Sequence, residues 1–154
     1  IKNTTLSHLF FFNEKFFKKI SMTKITKNYF KCFEKLEEDN VDELITCLHE
    51  NIIFIDPFNK VKGKENVKKI FLLMFKKTVD PQFKVLYSIE DKEKEIVKWK
   101  FKCEAIGKSI EFEGLSEIKV KDNLVIYHED FWDTGRNFYC KIPFLGVIFK
   151  KIHK

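Results

Sequence analysis

Ile96-Val-Lys-Trp-Lys-Phe-Lys-Cys-Glu-Ala105 is the stretch that decides the fold. Val97, Trp99, Phe101, Cys103 and Ala105 alternate with Lys98, Lys100, Lys102 and Glu104. A period of two puts one set of side chains against a core and the other in water, so the segment is a β-strand with one wet face. Downstream, Gly107-Lys108 reads as a turn, after which Phe112, Gly114, Ser116, Ile118 and Val120 alternate with Glu111, Glu113, Glu117 and Lys119. Lys121-Asp-Asn123 is a hairpin signal leading into a last strand at about 124–133. The second half of the chain is thus a meander of antiparallel strands.

Upstream the period changes to that of a helix. Ile25, Tyr29, Phe33 and Leu36 share one face, which predicts an amphipathic helix over 23–38. Asn40 with Glu43 three residues on has the spacing of a capping box, predicting a second helix over 41–49. Ile52-Ile-Phe-Ile55 is a short strand ended by Asp56-Pro57. Gly63 precedes a third helix carrying Val67, Ile70, Phe71, Met74 and Phe75, closed by Asp80-Pro81. Three helices followed by three or four antiparallel strands define an α+β class, with helices on one face of a curved sheet.

With 154 residues and 44% hydrophobic composition, the chain suits one domain with its own core. The net charge of +6 comes almost wholly from Lys, with Arg136 the sole arginine. That bias, with abundant Phe, Ile and Asn, reads as the coding habit of an AT-rich genome. Because Arg is the preferred reader of phosphate and guanine, nucleic-acid binding is not expected. Cys32, Cys47, Cys103 and Cys140 form no metal-like spacing and read as reduced, buried thiols of a cytoplasmic protein. No run reaches the roughly 18–20 apolar residues of a membrane span. Residues 1–21, with Leu9-Phe-Phe-Phe12 and Phe16-Phe-Lys-Lys-Ile20, read as an extension preceding a start at Met22, the alternative being a membrane-surface or packing helix. The domain is then 22–154.

Three segments carry a resemblance: Asn51-Ile-Ile-Phe-Ile-Asp-Pro-Phe58 followed by Gly63, Tyr127-His-Glu-Asp-Phe-Trp-Asp133, and Phe138-Tyr-Cys-Lys-Ile-Pro-Phe-Leu-Gly146. In this order they resemble the SnoaL-like and ketosteroid-isomerase-like branch of the NTF2-like superfamily, the last segment being similar to bacterial nuclear transport factor 2 family proteins. The resemblance implies a conical cavity formed by a bent sheet, and a homodimer through that sheet. It implies Asp56 as the base that moves a proton beside a carbonyl. It also implies a departure: Cys32 falls at the position of the family's oxyanion tyrosine and Ser116 at that of its protonated aspartic acid, and neither is equivalent as a donor.

The residues themselves support two readings of Asp56. Its place after four apolar residues suggests a carboxylate facing an apolar cavity, where burial makes a better base, whereas Asp-Pro is also ordinary turn chemistry. His128, Asp130 and Trp132 share one strand face; if Trp132 lines the pocket, as its family counterpart does, His128 and Asp130 point inward as further catalytic groups. The opposite orientation would bury Tyr127, Glu129, Phe131 and Asp133. Trp99, Phe101 and Cys103 are expected to line the cavity or core, with Tyr29, Cys32 and Ser116 beside them. A metal held by His49, His128 and Asp56 lacks diagnostic spacing, so no metal or cofactor is expected. The reading is a hydrophobic pocket for an apolar small molecule, serving a cofactor-independent isomerase, cyclase or hydrolase. The alternative is a non-catalytic ligand-binding or dimerisation module. The tail from Phe144 to Lys154 is expected to pack within the dimer, with membrane contact not expected.

Overall fold

Thr23 starts the first helix because its hydroxyl accepts the Thr26 N–H at 3.2 Å. The computed structural model describes residues 23–91, 93–105, 107–141 and 151, so the readings of 1–21 and of the tail fall outside the described residues, apart from Lys151. Helix α1 (Lys24–Glu34) buries Thr26, Tyr29, Phe30 and Phe33, a stripe at helical spacing. Its N-terminus is fixed by a carboxylate from across the core. Glu95 accepts the Thr23 N–H at 3.2 Å and the Thr26 hydroxyl at 2.7 Å, and it is only 4% exposed. A negative charge is favourable at that end of a helix. The charged run from Asp91 to Glu95 therefore has a buried end.

The helix stops earlier than the predicted 38. Asn40 does not cap a second helix with its side chain; it accepts the Glu37 N–H at 2.9 Å and donates to the Lys35 carbonyl at 2.7 Å, closing a short 3-10 turn, Glu38–Asn40. Helix α2 (Val41–Thr46) is likewise shorter than predicted, because strand β1 (Leu48–Ile55) begins where the helix was expected to continue. Strand β2 (Lys60–Lys62), unforeseen in the sequence, pairs antiparallel with β1. Gly63, at φ +88°, then turns the chain into helix α3 (Lys64–Lys77), which buries Val67 and Phe71. Asp80-Pro81 does not end that helix. It lies within strand β3 (Val79–Asp91), where a register shift and a positive φ at Asp80 absorb the proline as a bulge.

Strands β4 (Lys94–Ala105), β5 (Lys108–Lys121) and β6 (Leu124–Phe131) follow, then the short helix α4 (Thr134–Asn137) and a 3-10 turn, Tyr139–Lys141. The sheet order is β2-β1-β6-β5-β4-β3. Every pairing is antiparallel except β1 with β6, which is parallel and joins strands separated in sequence by α3 and four other strands. The result is an α+β fold, a curved, unclosed sheet with the N-terminal helices on its inner face. The alternation in β4 resolves as foreseen: Val97, Trp99, Phe101 and Cys103 are buried. Outward-facing lysines pair across to β5, Lys98 with Glu113 at 3.1 Å and Lys100 with Glu111 at 2.8 Å. Val120 departs from its strand's pattern and is exposed, because the β5–β6 register shifts between Lys119 and Val120. Among the described residues no helix is long and apolar enough to cross a membrane.

Candidate functional site

The side chains of His128 and Asp130 on β6, and of Trp132 just past its end, turn inward. His128 is 1% exposed, while Phe131, on the other parity, is 51% exposed. Tyr127 and Glu129 bond to each other instead. Inside, a chain of hydrogen bonds links residues from three strands and one helix. The Trp99 indole N–H meets Ser116 Oγ at 2.7 Å, and Ser116 Oγ lies 2.5 Å from Asp130 Oδ1. The same Oδ1 is 2.7 Å from His128 Nε2, and His128 Nδ1 is 2.8 Å from the Tyr29 hydroxyl.

Proton directions follow from what each group can do. An indole only donates, so Ser116 accepts from Trp99 and spends its own proton on Asp130, a carboxylate acceptor. With Asp130 accepting at Nε2, neutral His128 carries its proton there, and Nδ1 accepts from Tyr29. Tyr29 is held in its protonated form: burial above all, then the charge of Asp130 and the nearby Cys47 and Cys32, push its phenol well above the ordinary value of 10.0. All these donors therefore lead to one carboxylate. Both bonds end at Oδ1, and Oδ2 carries none among the described residues. Asp130 is also where the chain reaches the surface, its side chain being 17% exposed. Among the described residues no buried side-chain nitrogen or oxygen lacks a partner.

Trp99 keeps its place because of Gly114, its direct partner on β5. A Cβ at Gly114 would fall inside the Trp99 indole, so the absent side chain makes room for the ring.

Two spaces adjoin Asp130. The outer is an open recess of about 600 Å³, walled by Ile55, Asp56 and Pro57 on one side and residues 129–133 on the other. Its aromatic corner is Trp132, stacked on Phe112 at 4.3 Å and met edge-on by Phe58, which in turn contacts Phe138. The inner is a cleft of about 10 Å³ between Phe30, Phe33, Phe83 and Trp99, room for roughly one water.

The sequence-derived residues do not all come together here. Asp56 borders the recess, but its carboxylate belongs to its own turn. Oδ1 accepts from the backbone N–H groups of Phe58 at 2.6 Å and Asn59 at 2.7 Å, and the Asn59 amide spans both oxygens. That is the Asx-type turn the sequence left open, not a carboxylate facing an apolar cavity. Phe101 and Cys103 are core, Phe101 packing on Phe83 and Phe112. Cys32 does not line the cleft; its sulfur faces Cys47, and the buried hydroxyl comes from Tyr29, one turn earlier. Ser116 holds Asp130 rather than a ligand. His49 lies 3.9 Å from Asp122, so His49, His128 and Asp56 form no trio, and no metal-holding group of three or more occurs among the described residues. Glu95 was not singled out from the sequence, and Phe138 entered only as the first residue of the third segment of the resemblance. Phe58 was in the quoted segment, and its aromatic neighbours appear only once α4 folds back.

The class follows from this architecture: the fold is that of the NTF2-like, ketosteroid-isomerase-like proteins. More narrowly, the profile of the SnoaL-like domain matches residues 28–128, and the chain belongs to that family. No match emerges among curated proteins. The fold is shared with a hypothetical protein of ketosteroid-isomerase-like fold from Catenulispora acidiphila DSM 44928, solved with trimethylamine, at a TM-score of 0.67 and 7% identity over 76% of this chain and 91% of that one. An NTF2-like protein of unknown function from Burkholderia pseudomallei K96243 gives a TM-score of 0.67 and 14% identity over 75% and 95%. An epoxide hydrolase of LEH-like type from M. tuberculosis gives 0.63 and 10% over 84% and 89%.

Proposed function

We propose that this chain binds an apolar, ring-containing small molecule in the recess beside Trp132, and that Asp130 moves a proton on it. The observation behind this reading is the convergence of Ser116 and His128 on one oxygen of Asp130, a residue that lines the recess, while its other oxygen carries no bond among the described residues. A carboxylate fixed in this way can take a proton from a carbon beside a carbonyl and return it elsewhere, or take one from an attacking water. Those are isomerase or cyclase and hydrolase chemistry respectively. The recess volume lies within the roughly 300–1,000 Å³ usual for small-molecule sites. Trimethylamine bound to one protein of this fold, and a hydrolase among the others, support a small-molecule ligand. Asp56, tied into its turn, shapes the wall in this reading rather than acting as the base.

The test uses 2-tetralone, an apolar bicyclic ketone with exchangeable protons, incubated with the protein in D2O and followed by NMR. Exchange above the buffer rate should be seen, and Asp130→Asn, which keeps an acceptor for Ser116 but removes the base, should abolish it. Exchange unaffected by Asp130→Asn refutes the assignment. A second reading, a non-catalytic binding module, is favoured by the small inner cleft, which leaves little room to bury a reacting centre. It predicts binding without exchange.

We also propose a homodimer through the outer sheet face. Tyr87, Lys98, Leu115 and Phe131 lie in one row across four strands, and Tyr87 and Phe131 are 54% and 51% exposed. Aromatic side chains aligned in this way suit a second copy of the same face.

A further inference from the structure

Behind α1, away from the recess, two thiols meet. Cys32 in α1 and Cys47 at the C-terminal end of α2 place their sulfurs 3.9 Å apart. Both are half-buried, so small reagents can reach them, and neither is in a disulfide. Cys47 also lies 3.8 Å from the Glu43 carbonyl, to which its S–H points. Lys35 on α1 and Glu43 on α2 are the charged groups near Cys32, and Tyr29 is on the core side.

We propose that Cys32 and Cys47 are an oxidisable dithiol, which a peroxide or a small-molecule disulfide converts into an intramolecular disulfide joining α1 to α2. With hydrogen peroxide, the Cys47 sulfur attacks one peroxide oxygen. The O–O bond breaks, one water leaves, and Cys47 becomes a sulfenic acid. Cys32 then attacks that sulfur, the S–O bond breaks, and a second water leaves. Two thiols and one peroxide thus give one disulfide and two waters, two electrons passing from sulfur to oxygen. The sulfurs must approach by about 1.9 Å to reach a normal S–S length, a movement of side-chain rotation with a small shift of α1.

The first step goes to Cys47 because Cys32 ionises late: burial, with Cys47 and Glu43 beside it, pushes its thiol up to about 11, against the smaller opposing effect of Lys35. Cys32 therefore suits the intramolecular step, where proximity offsets scarce thiolate. The spacing of 15 residues makes the link a local clasp on the helix that carries Tyr29. The proposal does not depend on the role given to Asp130.

The experiment treats the full chain with hydrogen peroxide and, separately, with oxidised glutathione, then measures intact mass and maps peptides without reduction. The expected result is a species lighter by two hydrogens, with the Cys32 and Cys47 peptides linked, reversed by dithiothreitol and absent in Cys32→Ser and in Cys47→Ser. The thermal midpoint of the oxidised form should rise by about 5–10 °C, and closure should quicken by about tenfold per pH unit from 7 toward 10. Oxidation that yields only separate sulfinic acids or glutathione adducts overturns the proposal. So does a link that uses Cys103 or Cys140 instead, or binding of a thiophilic metal by the pair without any disulfide under either oxidant.

Discussion

Tyr29→Phe isolates the hydrogen-bond chain from the packing around it. Phenylalanine keeps the ring, so the edge contacts with Phe30 at 5.5 Å and Phe33 at 5.0 Å survive and no apolar area is lost. What disappears is one hydroxyl, 2.8 Å from His128 Nδ1, between residues that are 0% and 1% exposed. His128 cannot recover by changing tautomer. A proton moved to Nδ1 would leave Nε2 as an acceptor facing the Asp130 carboxylate, and a second proton would put an N–H at Nδ1 with nothing to accept it. Leaving a buried acceptor unpaired costs about 1–3 kcal/mol. The adjoining cleft has room for roughly one water, and a water replacing the hydroxyl would bring the loss to the lower end of that range. For a domain of this size the thermal midpoint should fall by about 2–12 °C.

Urea unfolding, followed by far-UV circular dichroism with the m-value held common, measures the loss. A double-mutant cycle assigns it: in a His128→Leu background there is no Nδ1 to orphan, so Tyr29→Phe should cost nothing there, and the coupling should be about 1–3 kcal/mol. A loss below about 0.5 kcal/mol, or one of equal size in both backgrounds, refutes the proton directions assigned to the chain.

Alkaline titration reports on the same tyrosine. Tyr29 is raised by burial first, and Tyr127 is pushed up to about 12 by its bond to Glu129, with burial adding to it. Both protons therefore stabilise the fold fully below pH 10, and the Tyr127 share is lost as pH rises from 10 through 12. Absorbance at 295 nm should show at least two of the four tyrosines ionising only above the ordinary range or on unfolding; four ordinary titrations would contradict this. Gly114→Ala should push the Trp99 indole from its place, costing about 1–3 kcal/mol and shifting tryptophan emission, and unchanged stability would show that the ring is not confined. Leu115→Glu should convert a micromolar dimer into a monomer in sedimentation velocity, whereas a wild-type monomer under the same conditions ends the dimer proposal.

Most of the fold was legible because it rests on periodicity, and periodicity survives local error. The period-two runs in β4 and β5 place their buried residues without any knowledge of partners. What failed were boundaries set by competing local chemistry. Asn40 has the right residue type for a helix cap, but Lys35 and Glu37 were nearer partners for its side chain. Asp80-Pro81 reads as a stop, yet β4 offered it a bulge within a long strand. The parallel β1–β6 pair joins residues about 75 positions apart, and strand patterns alone carry no record of such a pairing.

The site was less legible for a related reason. Single residues could be named as candidates, but their relations depend on side-chain reach across elements. His128 and Asp130 are two apart on one strand, so their shared face could be read from the sequence. That Tyr29 would meet His128 depends on how α1 crosses the sheet, and the N-terminal end of α1 is tied down by Glu95, which lies in a run of charged residues. The resemblance directed attention to Asp56 and to Cys32. The local sequence adds to it in both places: Asn59 supplies the amide that holds Asp56 in its Asx-type turn, and Tyr29 supplies one turn earlier the hydroxyl that Cys32 lacks. Ser116 shows the physical logic best. A short hydroxyl at that position is too weak to replace a buried acid as a donor to ligand, but it is the right length to accept the Trp99 indole N–H and donate its own proton to Asp130. The carboxylate of the proposed site stands on β6, and the serine on β5 holds it in place.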